Sequence, residues 1–283
     1  MTLVEEPVGH ESLLDVSDLV VTYGRGRFAR RNKLALKGVS IDVAVGETVG
    51  LVGESGSGKT TLGRAVLGLL PVTSGTISYR GRDITHLGRR ERRSLAAEMQ
   101  VVFQDPYSSL NPSMTVREIL AEPLRVQGVS SADARSRVLT LLDQVGLPAD
   151  AGSRMPREFS GGQRQRVAIA RALALEPALI VCDEPVSALD MSTQIKILDL
   201  LVGIQERTGV AYLFVSHDLE VVRYVSHRVA VMYHGEIVER GDAAAVTTAP
   251  QHPYTTKLLM AAPVPDPDRQ AERRLERAAV LAG

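Results

Sequence analysis

A glycine-rich loop between a predicted strand and a predicted helix constrains this chain more than any other feature. The apolar run 48–52 predicts the strand, the amphipathic run 62–70 predicts the helix, and the loop between them has the pattern G-x-x-x-x-G-K-T. Glycines let consecutive backbone N–H groups turn towards an anion, and the helix N-terminus adds its positive dipole. A flexible glycine turn that happens to precede a lysine is the alternative, but it leaves the flanking strand and helix unexplained. The sequence therefore predicts a phosphate-binding loop that holds a nucleotide.

The residues at the end of this loop have separate predicted roles. Lys59 is expected to reach the β- and γ-phosphates, and the hydroxyl of Thr60 is expected to bind Mg²⁺. The predicted nucleotide-binding residues of this region are Gly53, Glu54, Ser55, Gly56, Ser57, Gly58, Lys59, Thr60 and Thr61.

The charge balance argues against a nucleic-acid partner. Lysine plus arginine and aspartate plus glutamate each number 33 in the 283 residues, so the whole chain offers no general attraction for a polyanion. Local basic runs at 25–33 and 89–93 are interpreted as solvated surface, because a charged run is more often a loop or helix face than a binding patch.

Membrane and redox signals are weak in this sequence. Residues 1–7 carry acids and a proline where a signal peptide needs basic residues followed by an apolar block. We find no apolar window of the roughly 18 residues that a membrane helix needs, so a membrane role is expected to come through a partner. The single cysteine, Cys182, lies in an apolar run and is expected to be a buried, inert thiol.

The order of patterns predicts an α/β fold of the P-loop NTPase type. Alternating segments at 13–23 and 35–45 predict an antiparallel pair of strands before the phosphate loop. Strands and helices alternate again after about residue 178, which favours a parallel sheet, and His234-Gly235 predicts a hairpin that ends it with antiparallel strands. The fold class is therefore α/β with a mixed sheet and an antiparallel β subdomain.

Residues 105–176 are predicted to form a helical insert. Prolines at 106, 112, 123, 148 and 156 punctuate runs with helical period, and β-branched strands are missing from this stretch. Thr115 with Glu118 predicts a capping box for one helix, and Ser130 with Asp133 predicts the start of the next.

Two adjacent acids follow the apolar run 179–182. In a parallel sheet the carboxyl end of this strand faces the nucleotide, so Asp183 suits the surroundings of Mg²⁺, and Glu184 could orient or deprotonate an attacking water. Acids at a strand end are also common as solvated turn residues. Combined with Lys59, however, the pair favours catalysis.

Ser160-Gly161-Gly162-Gln163 precedes a predicted helix at 164–175. Ser160 and Gln163 fit a capping box, and the glycines could merely loosen the turn. Two glycines in a first helical turn nevertheless cost about 1 kcal/mol each relative to alanine, which points to a purpose. A helix N-terminus without bulky side chains is a second phosphate site, and we expect it to serve the nucleotide of a partner subunit.

These motifs together resemble the nucleotide-binding subunits of ABC transporters, a P-loop ATPase family, over residues 13 to about 262. Phe159 to Gln163 is similar to the signature motif of that family, with phenylalanine where leucine is usual. The resemblance implies ATP and Mg²⁺ as ligands. It also implies a head-to-tail dimer in which Ser160, Gly161, Gly162 and Gln163 close over the γ-phosphate held by Lys59 of the other subunit.

The resemblance assigns four further positions. Tyr23 is similar to the aromatic residue that stacks on adenine, and Gln104 to the glutamine that contacts Mg²⁺ and the attacking water. Asp190 ends a loop similar to one that crosses the dimer interface. His217 resembles the histidine that hydrogen-bonds the γ-phosphate. Each of the four also has an ordinary structural interpretation. Tyr23 could be an amphipathic cap on the sheet and Gln104 a polar strand end. Asp190 could be a simple turn acid and His217 a structural histidine.

Two stretches narrow the resemblance to the oligopeptide and dipeptide import branch, which includes nickel and glutathione importers. They are 104–112, which reads QDPYSSLNP, and 252–255, which reads HPYT. Some members carry a cysteine cluster that binds an iron–sulfur centre, and this chain, with one cysteine, is expected to have none.

The expected function is an ATPase subunit at the cytoplasmic face of the cell membrane that powers import of a peptide-like solute. Its implied partners are an identical or related ATPase subunit, two membrane permease subunits and, indirectly, an extracytoplasmic solute-binding protein. A helix of a permease is expected to dock near residues 107–110. The expected domains are an extension at 1–12, an ATPase domain at 13–245 and a C-terminal extension at 246–283.

Two alternatives belong to other functional classes. One is a soluble ABC-type ATPase that acts on nucleic acid or the ribosome, but such proteins usually show paired cassettes, long coiled-coil inserts or zinc-binding cysteines. The other is a P-loop kinase or GTPase, which does not explain residues 160–163.

Overall fold

The computed structural model describes residues 12–24 and 33–261 of the chain. Within these residues there are ten strands and ten α-helices. The strands are β1 Ser12–Tyr23, β2 Lys33–Ala44, β3 Thr48–Val52, β4 Ser74–Tyr79, β5 Arg82–Asp83, β6 Met99–Val102, β7 Leu179–Asp183, β8 Ala211–Ser216, β9 Arg228–Tyr233 and β10 Glu236–Asp242. The helices are α1 Lys59–Val66, α2 Arg89–Leu95, α3 Pro106–Ser109, α4 Val116–Val126, α5 Ser131–Gln144, α6 Gly161–Ala172, α7 Met191–Thr208, α8 Leu219–Val225, α9 Ala243–Thr248 and α10 Pro253–Ala261.

The strands form two sheets. The larger has the order β10-β9-β3-β8-β7-β6, and all its pairs are parallel except β10 with β9. The smaller sheet, β2-β1-β4-β5, is antiparallel throughout. The predicted α/β class with a mixed sheet, an antiparallel β subdomain and the hairpin at His234-Gly235 is confirmed.

Each face of the larger sheet contributes to a separate hydrophobic core. One core joins this sheet to α1 and to the antiparallel sheet, and the other joins it to the helices of the 105–176 region. Neighbouring residues of β7 enter different cores, Ile180 the helical one and Val181 the other. This alternation follows from the period of two along a strand, and it holds β7 rigidly by both faces.

The register of the parallel strands decides where the chemistry-bearing residues meet. Val52 at the end of β3 lies opposite Ser216 at the end of β8, and Asp183 at the end of β7 lies opposite Val215. Parallel strands place their carboxyl ends at one edge of a sheet, where ligands bind in open α/β folds. The phosphate loop, the acid pair and His217 therefore begin at the same edge.

Helix starts in the 105–176 region follow the predicted caps. Thr115 and Glu118 form a reciprocal capping box on α4, and Ser130 accepts a hydrogen bond from the N–H of Asp133 at the start of α5. Ser160 and Gln163 cap α6 in the same reciprocal way. The predicted limits 164–175 of that helix are wrong, because α6 already begins at Gly161 and gives way to a 3₁₀ turn at Leu173–Leu175.

The surface predicted at residues 107–110 is only partly correct. Tyr107 is 63% exposed, but Leu110 is 2% exposed and packs in the helical core. The four-residue helix α3 turns Leu110 inwards, a direction that the prolines around it did not reveal.

Several expectations fall on residues that the structure does not describe. The extension expected at 1–12 is described only at Ser12, the basic run 25–33 only at Lys33, and the C-terminal extension only as far as Ala261. No helix in the described part of the chain is long and apolar enough to span a membrane.

Candidate functional site

The phosphate loop, residues 53–58, is shaped by glycines and by close contact with its surroundings. Gly56 and Gly58 have φ values of +82° and +115°, which side chains rarely permit. A Cβ atom on Gly53 would lie 2.1 Å from the carbonyl oxygen of Met232, so only glycine fits between the loop and the end of β9. The N–H of Gly235, in the hairpin after β9, donates to the carbonyl of Ser57 at 2.8 Å. Strand β9 and its hairpin thus support the loop from behind.

Helix α1 starts directly after the loop and leaves its first N–H groups available. Within the described residues no side chain caps this helix, whose N-cap is Gly58. The first turn of a helix always presents N–H groups without intrahelical partners, and the dipole makes this end attractive to anions. The backbone at the start of α1 therefore offers N–H groups of the kind that bind an anion.

Lys59 is folded back across the loop. Its side chain is 4% exposed, and its Nζ donates to the carbonyl oxygens of Gly53 at 2.6 Å and Glu54 at 2.9 Å. Burial lowers the pKa of the Lys59 ammonium, and the carboxylates of Glu184, Asp183 and Glu54 oppose this shift. The lysine is thus a largely desolvated cation, and its Nζ sits at the mouth of the loop.

Thr60 and Asp183 face each other between α1 and β7. The Thr60 hydroxyl donates to Oδ1 of Asp183 at 2.9 Å. Burial raises the pKa of the Asp183 carboxyl, and the bond from Thr60 acts in the opposite direction. A hydroxyl beside a carboxylate provides the hard oxygen ligands that Mg²⁺ prefers. The described residues contain no group of three or more His, Cys, Asp or Glu that could hold a metal by itself.

Glu184 has an unusual backbone conformation. Its φ is +51°, in the left-handed region, which costs a non-glycine residue about 1–3 kcal/mol. The turn is held by a bond of 3.0 Å from its N–H to the carbonyl of Val215. It directs the carboxylate away from Asp183 so that Oε2 lies 3.0 Å from Nδ1 of His217 and 3.4 Å from Nε2 of Gln104. These three side chains come from the ends of three neighbouring strands.

A cleft of about 890 Å³ opens above this edge of the sheet. Tyr23 lies at one side, 40% exposed, with its hydroxyl 3.1 Å from Oγ1 of Thr61. The predicted residues that line the cleft are Tyr23, Glu54, Ser55, Gly56, Gly58, Lys59, Thr60, Thr61, Gln104, Glu184 and His217. The structure thus brings together in one cleft most of the residues that the sequence singled out.

Family profiles and curated relatives agree with this geometry. The profile described as ABC transporter matches residues 36–187, more than half of the chain. A putative peptide import ATP-binding protein of Brucella ovis is 53% identical over 243 residues, which are 86% of this chain and 77% of that protein. This chain belongs to the ABC transporter family. The predicted family and its ATPase class are therefore confirmed, as is ATP as the nucleotide.

Other similarities extend to the C-terminal part and to solved structures. A profile described as the oligopeptide/dipeptide transporter C-terminal region matches residues 238–281 of this ABC ATPase. The glutathione import ATP-binding protein GsiA of Salmonella typhi is 50% identical over 270 residues, 94% of this chain but 43% of that protein.

Among solved structures, cbiO1 from Clostridium perfringens, part of the cbiONQ transporter complex, superimposes with a TM-score of 0.76 at 28% identity, over 96% of this chain and 99% of that one. The dimeric ATP-binding cassette MJ0796 bound to ADP and phosphate superimposes with a TM-score of 0.73 at 32% identity, over 81% of this chain and 98% of that one.

Some predicted residues of this ABC ATPase lie outside its own cleft. Ser160, Gly161, Gly162, Gln163 and Asp190 are absent from the cleft lining and form a separate cluster where the starts of α6 and α7 meet. Asp190 caps α7 by accepting from the N–H of Thr193 at 3.0 Å. The hydroxyls of Ser192 and Thr193 also donate to its carboxylate. These two bonds, and to a smaller extent the bond from the N–H, lower the pKa of the Asp190 carboxyl to about 2. Within one subunit these residues therefore do not line the cleft.

Two loop residues predicted to bind nucleotide direct their N–H groups to protein acceptors. The N–H of Glu54 donates to the Tyr254 hydroxyl at 2.9 Å, and the N–H of Ser57 donates to the carbonyl of Glu54 at 3.2 Å. Fewer N–H groups of the loop are therefore available to a phosphate than the sequence predicts.

Sequence reasoning missed several residues at the site. Leu34, His234 and Leu258 line the cleft, and Tyr254 contacts the loop from behind. The stretch 252–255 resembles peptide importers, but nothing in its spacing indicates contact with a loop 200 positions earlier. For His234 the sequence does offer a signal, because the predicted hairpin at His234-Gly235 follows a strand of the same sheet as the phosphate loop.

Proposed function

We propose that this protein is the ATP-binding and ATP-hydrolysing subunit that powers import of a peptide-like solute through separate membrane permease subunits. The observation that carries the proposal is the convergence of Lys59, Thr60 and Glu184 in one cleft at the edge of the sheet, with Asp183 bonded to Thr60. The identity of the curated relatives and the match of the C-terminal region support the peptide class.

Binding of ATP would use the loop and Lys59 together. The Nζ atom would move from the carbonyls of Gly53 and Glu54 to phosphate oxygens, which exchanges neutral acceptors for charged ones. Thr60, Asp183 and Gln104 would hold Mg²⁺, which when bound neutralises charge on the phosphates. Tyr23 would contact adenine with its exposed ring face.

Hydrolysis would depend on the group around Glu184. Its carboxylate, hydrogen-bonded by Gln104 and His217, would orient a water and accept its proton. His217 is 55% exposed at its side chain, so its ring can also face the γ-phosphate. The strained backbone of Glu184 aims this carboxylate into the cleft while Asp183 points to Thr60.

A complete site would need a second ATPase subunit, identical or related. Ser160 is exposed, and Ser160 to Gln163 and Asp190 lie outside the cleft of their own subunit. We propose that they face the nucleotide of the partner across a head-to-tail dimer, and the dimeric state of MJ0796 supports this arrangement. The dimer of ATPase subunits would bind two permease subunits at the cytoplasmic face of the membrane. The permease subunits would receive solute from an extracytoplasmic binding protein.

The C-terminal region would be a peptide-importer extension without an iron–sulfur cluster. The profile match begins at 238, near the proposed boundary between an ATPase domain at 13–245 and an extension at 246–283. Cys182 is the single cysteine of the chain and lies buried in β7, where burial raises the pKa of its thiol. Action on nucleic acid or the ribosome, the other candidate, is not favoured by the relatives.

Reconstitution in proteoliposomes tests this function. The chain would be combined with candidate permease and binding-protein subunits from the same genome, with a labelled oligopeptide outside and ATP at the cytoplasmic face. We expect ATP-dependent peptide uptake and peptide-stimulated ATP hydrolysis. ATP hydrolysis that responds to DNA or ribosomes and not to the transporter subunits would contradict the proposal.

A further inference from the structure

A tyrosine in the C-terminal part of the chain makes a hydrogen bond to the phosphate loop. The N–H of Glu54 donates to the hydroxyl of Tyr254 at 2.9 Å, although the two residues are 200 positions apart. Tyr254 is 8% exposed, so this bond is largely shielded from water. The tyrosine lies on α10, inside the region that resembles the C-terminal part of peptide transporters.

Several contacts fix Tyr254 in this position. Glu239 on β10 accepts hydrogen bonds from the N–H groups of Gln251 at 2.7 Å and His252 at 3.0 Å, which anchors the chain just before α10. The N–H of Tyr254 donates to Nδ1 of His252 at 3.2 Å. The rings of Tyr254 and Tyr233 lie 4.1 Å apart. Because Tyr233 ends β9 in the central sheet, the hydroxyl of Tyr254 is held by a rigid support and not by a free tail.

Tyr254 and Lys59 both form a hydrogen bond with the backbone of Glu54. Glu54 donates through its N–H to Tyr254 and accepts through its carbonyl from Nζ of Lys59 at 2.9 Å. Both sides of this residue are therefore fixed before the loop reaches Gly56. Leu258, one helical turn after Tyr254, lines the same cleft. Helix α10 thus contacts the nucleotide site at two points.

A loop that already has its binding conformation loses less conformational freedom when the ligand binds. We propose that Tyr254 is a positioning residue for the ATP site, and that the C-terminal extension of this ATPase sets nucleotide affinity through the Tyr254 hydroxyl. The inference rests on the proposed function, because it assumes that the loop binds ATP phosphates. It gives the C-terminal region a role inside the ATPase site.

Tyr254→Phe tests the inference because it removes the acceptor oxygen and keeps the ring on Tyr233. A single neutral hydrogen bond changes an equilibrium by about two- to tenfold, so we expect ATP and ADP to bind about two- to tenfold more weakly. A titration of the full-length variant with a fluorescent ATP analogue measures this. KM for ATP should rise by a similar factor, whereas kcat should stay near the parental value because Glu184 is untouched.

Amide hydrogen exchange of the nucleotide-free protein gives a local readout. The Glu54 amide should exchange slowly in the parent and faster in the variant, with little change in strand β3. This measurement does not depend on ATP. A role of Tyr254 in packing alone would lower the melting temperature without this local change.

Two controls separate the possible failures. Tyr233→Phe removes a hydroxyl from the same ring pair without touching the Glu54 bond and should leave affinity unchanged. Lys59→Ala tests whether the loop binds ATP at all. If this variant binds ATP as tightly as the parent, the proposed function is wrong. If Lys59→Ala weakens binding but Tyr254→Phe alters neither affinity nor Glu54 exchange, only the role of Tyr254 is wrong. Equal losses in the two tyrosine variants would also overturn it.

Discussion

Glu184 is the residue whose geometry bears most directly on hydrolysis. Its left-handed backbone places one carboxylate oxygen between the side chains of His217 and Gln104, whereas its neighbour Asp183 bonds Thr60. Two adjacent acids on a regular strand would also point to opposite sides, but the turn at Glu184 brings its carboxylate back into the cleft. The two acids can therefore have different roles.

We expect Glu184→Gln to bind ATP and to hydrolyse it at least about 100-fold more slowly, because the amide keeps the shape and cannot accept a proton. The ATP-bound dimer should accumulate, which size-exclusion chromatography with ATP and Mg²⁺ would detect. Glu206→Gln, at an exposed position on α7, is the matched control and should hydrolyse ATP normally. Parental turnover in Glu184→Gln would remove Glu184 from the catalytic role.

Lys59 contributes to binding through charge. Its replacement by alanine removes a charge-assisted contact of about 1.5–3 kcal/mol, so ATP affinity should fall roughly ten- to a hundredfold. A titration with a fluorescent ATP analogue measures the change. Lys196→Ala, which removes the same charge from the exposed side of α7, should bind ATP as the parent does. Unchanged affinity in Lys59→Ala would refute the phosphate-loop role.

At the level of elements, the start of α6 shows why a glycine is needed even within one subunit. A Cβ atom on Gly162 would lie 2.4 Å from Cγ2 of Thr193 on α7, whereas one on Gly161 would lie 3.4 Å from Leu189. The sequence suggested that both glycines keep a helix end bare for a phosphate. The structure shows that Gly162 also permits close packing between α6 and α7.

Gly162→Ala should therefore destabilise the subunit through overpacking of about 1–3 kcal/mol, seen as a lower melting temperature by roughly 2–4 °C per kcal/mol. Thr193→Ser removes the methyl group that the new Cβ would meet and keeps the hydroxyl that bonds Asp190. The double variant should recover most of the loss. Gly161→Ala is the control with little expected change. Equal stability of Gly162→Ala and the parent would contradict this account of the packing.

The elements that could be predicted from the sequence are those with local signals. The strand, loop and helix around Lys59 and the capping boxes at Thr115 and Ser160 depend on residues within a few positions of each other. The direction of Leu110 depends on a single short helix, and the contact of Tyr254 depends on tertiary packing across 200 positions. Neither has a local pattern, so neither could be predicted.

For the whole molecule, we expect the path from the nucleotide to a membrane partner to lead through α3. Gln104 reaches Glu184 just before this helix, and Asp105 caps it by accepting from the N–H of Tyr107 at 2.8 Å. The guanidinium of Arg164, in the first turns of α6, lies 3.8 Å from the ring centre of Tyr107. The exposed surface of α3 is thus connected to Glu184 at one end and to the helix that Ser160 caps at the other.

We therefore expect Tyr107, and not the buried Leu110, to contact a permease helix. Because Tyr107 is 63% exposed, Tyr107→Asp should lower the melting temperature of the isolated subunit only slightly, through loss of the ring beside Arg164, and should leave its ATP affinity unchanged. In the assembled transporter it should abolish co-purification with the permease and ATP-dependent peptide uptake, since a charge would replace an aromatic surface on a loop positioned by a rigid scaffold. Leu139→Asp, at a 49% exposed position on α5, makes the same change elsewhere in the helical region and should preserve both properties. If co-purification and uptake survive in Tyr107→Asp, the permease docks on another surface.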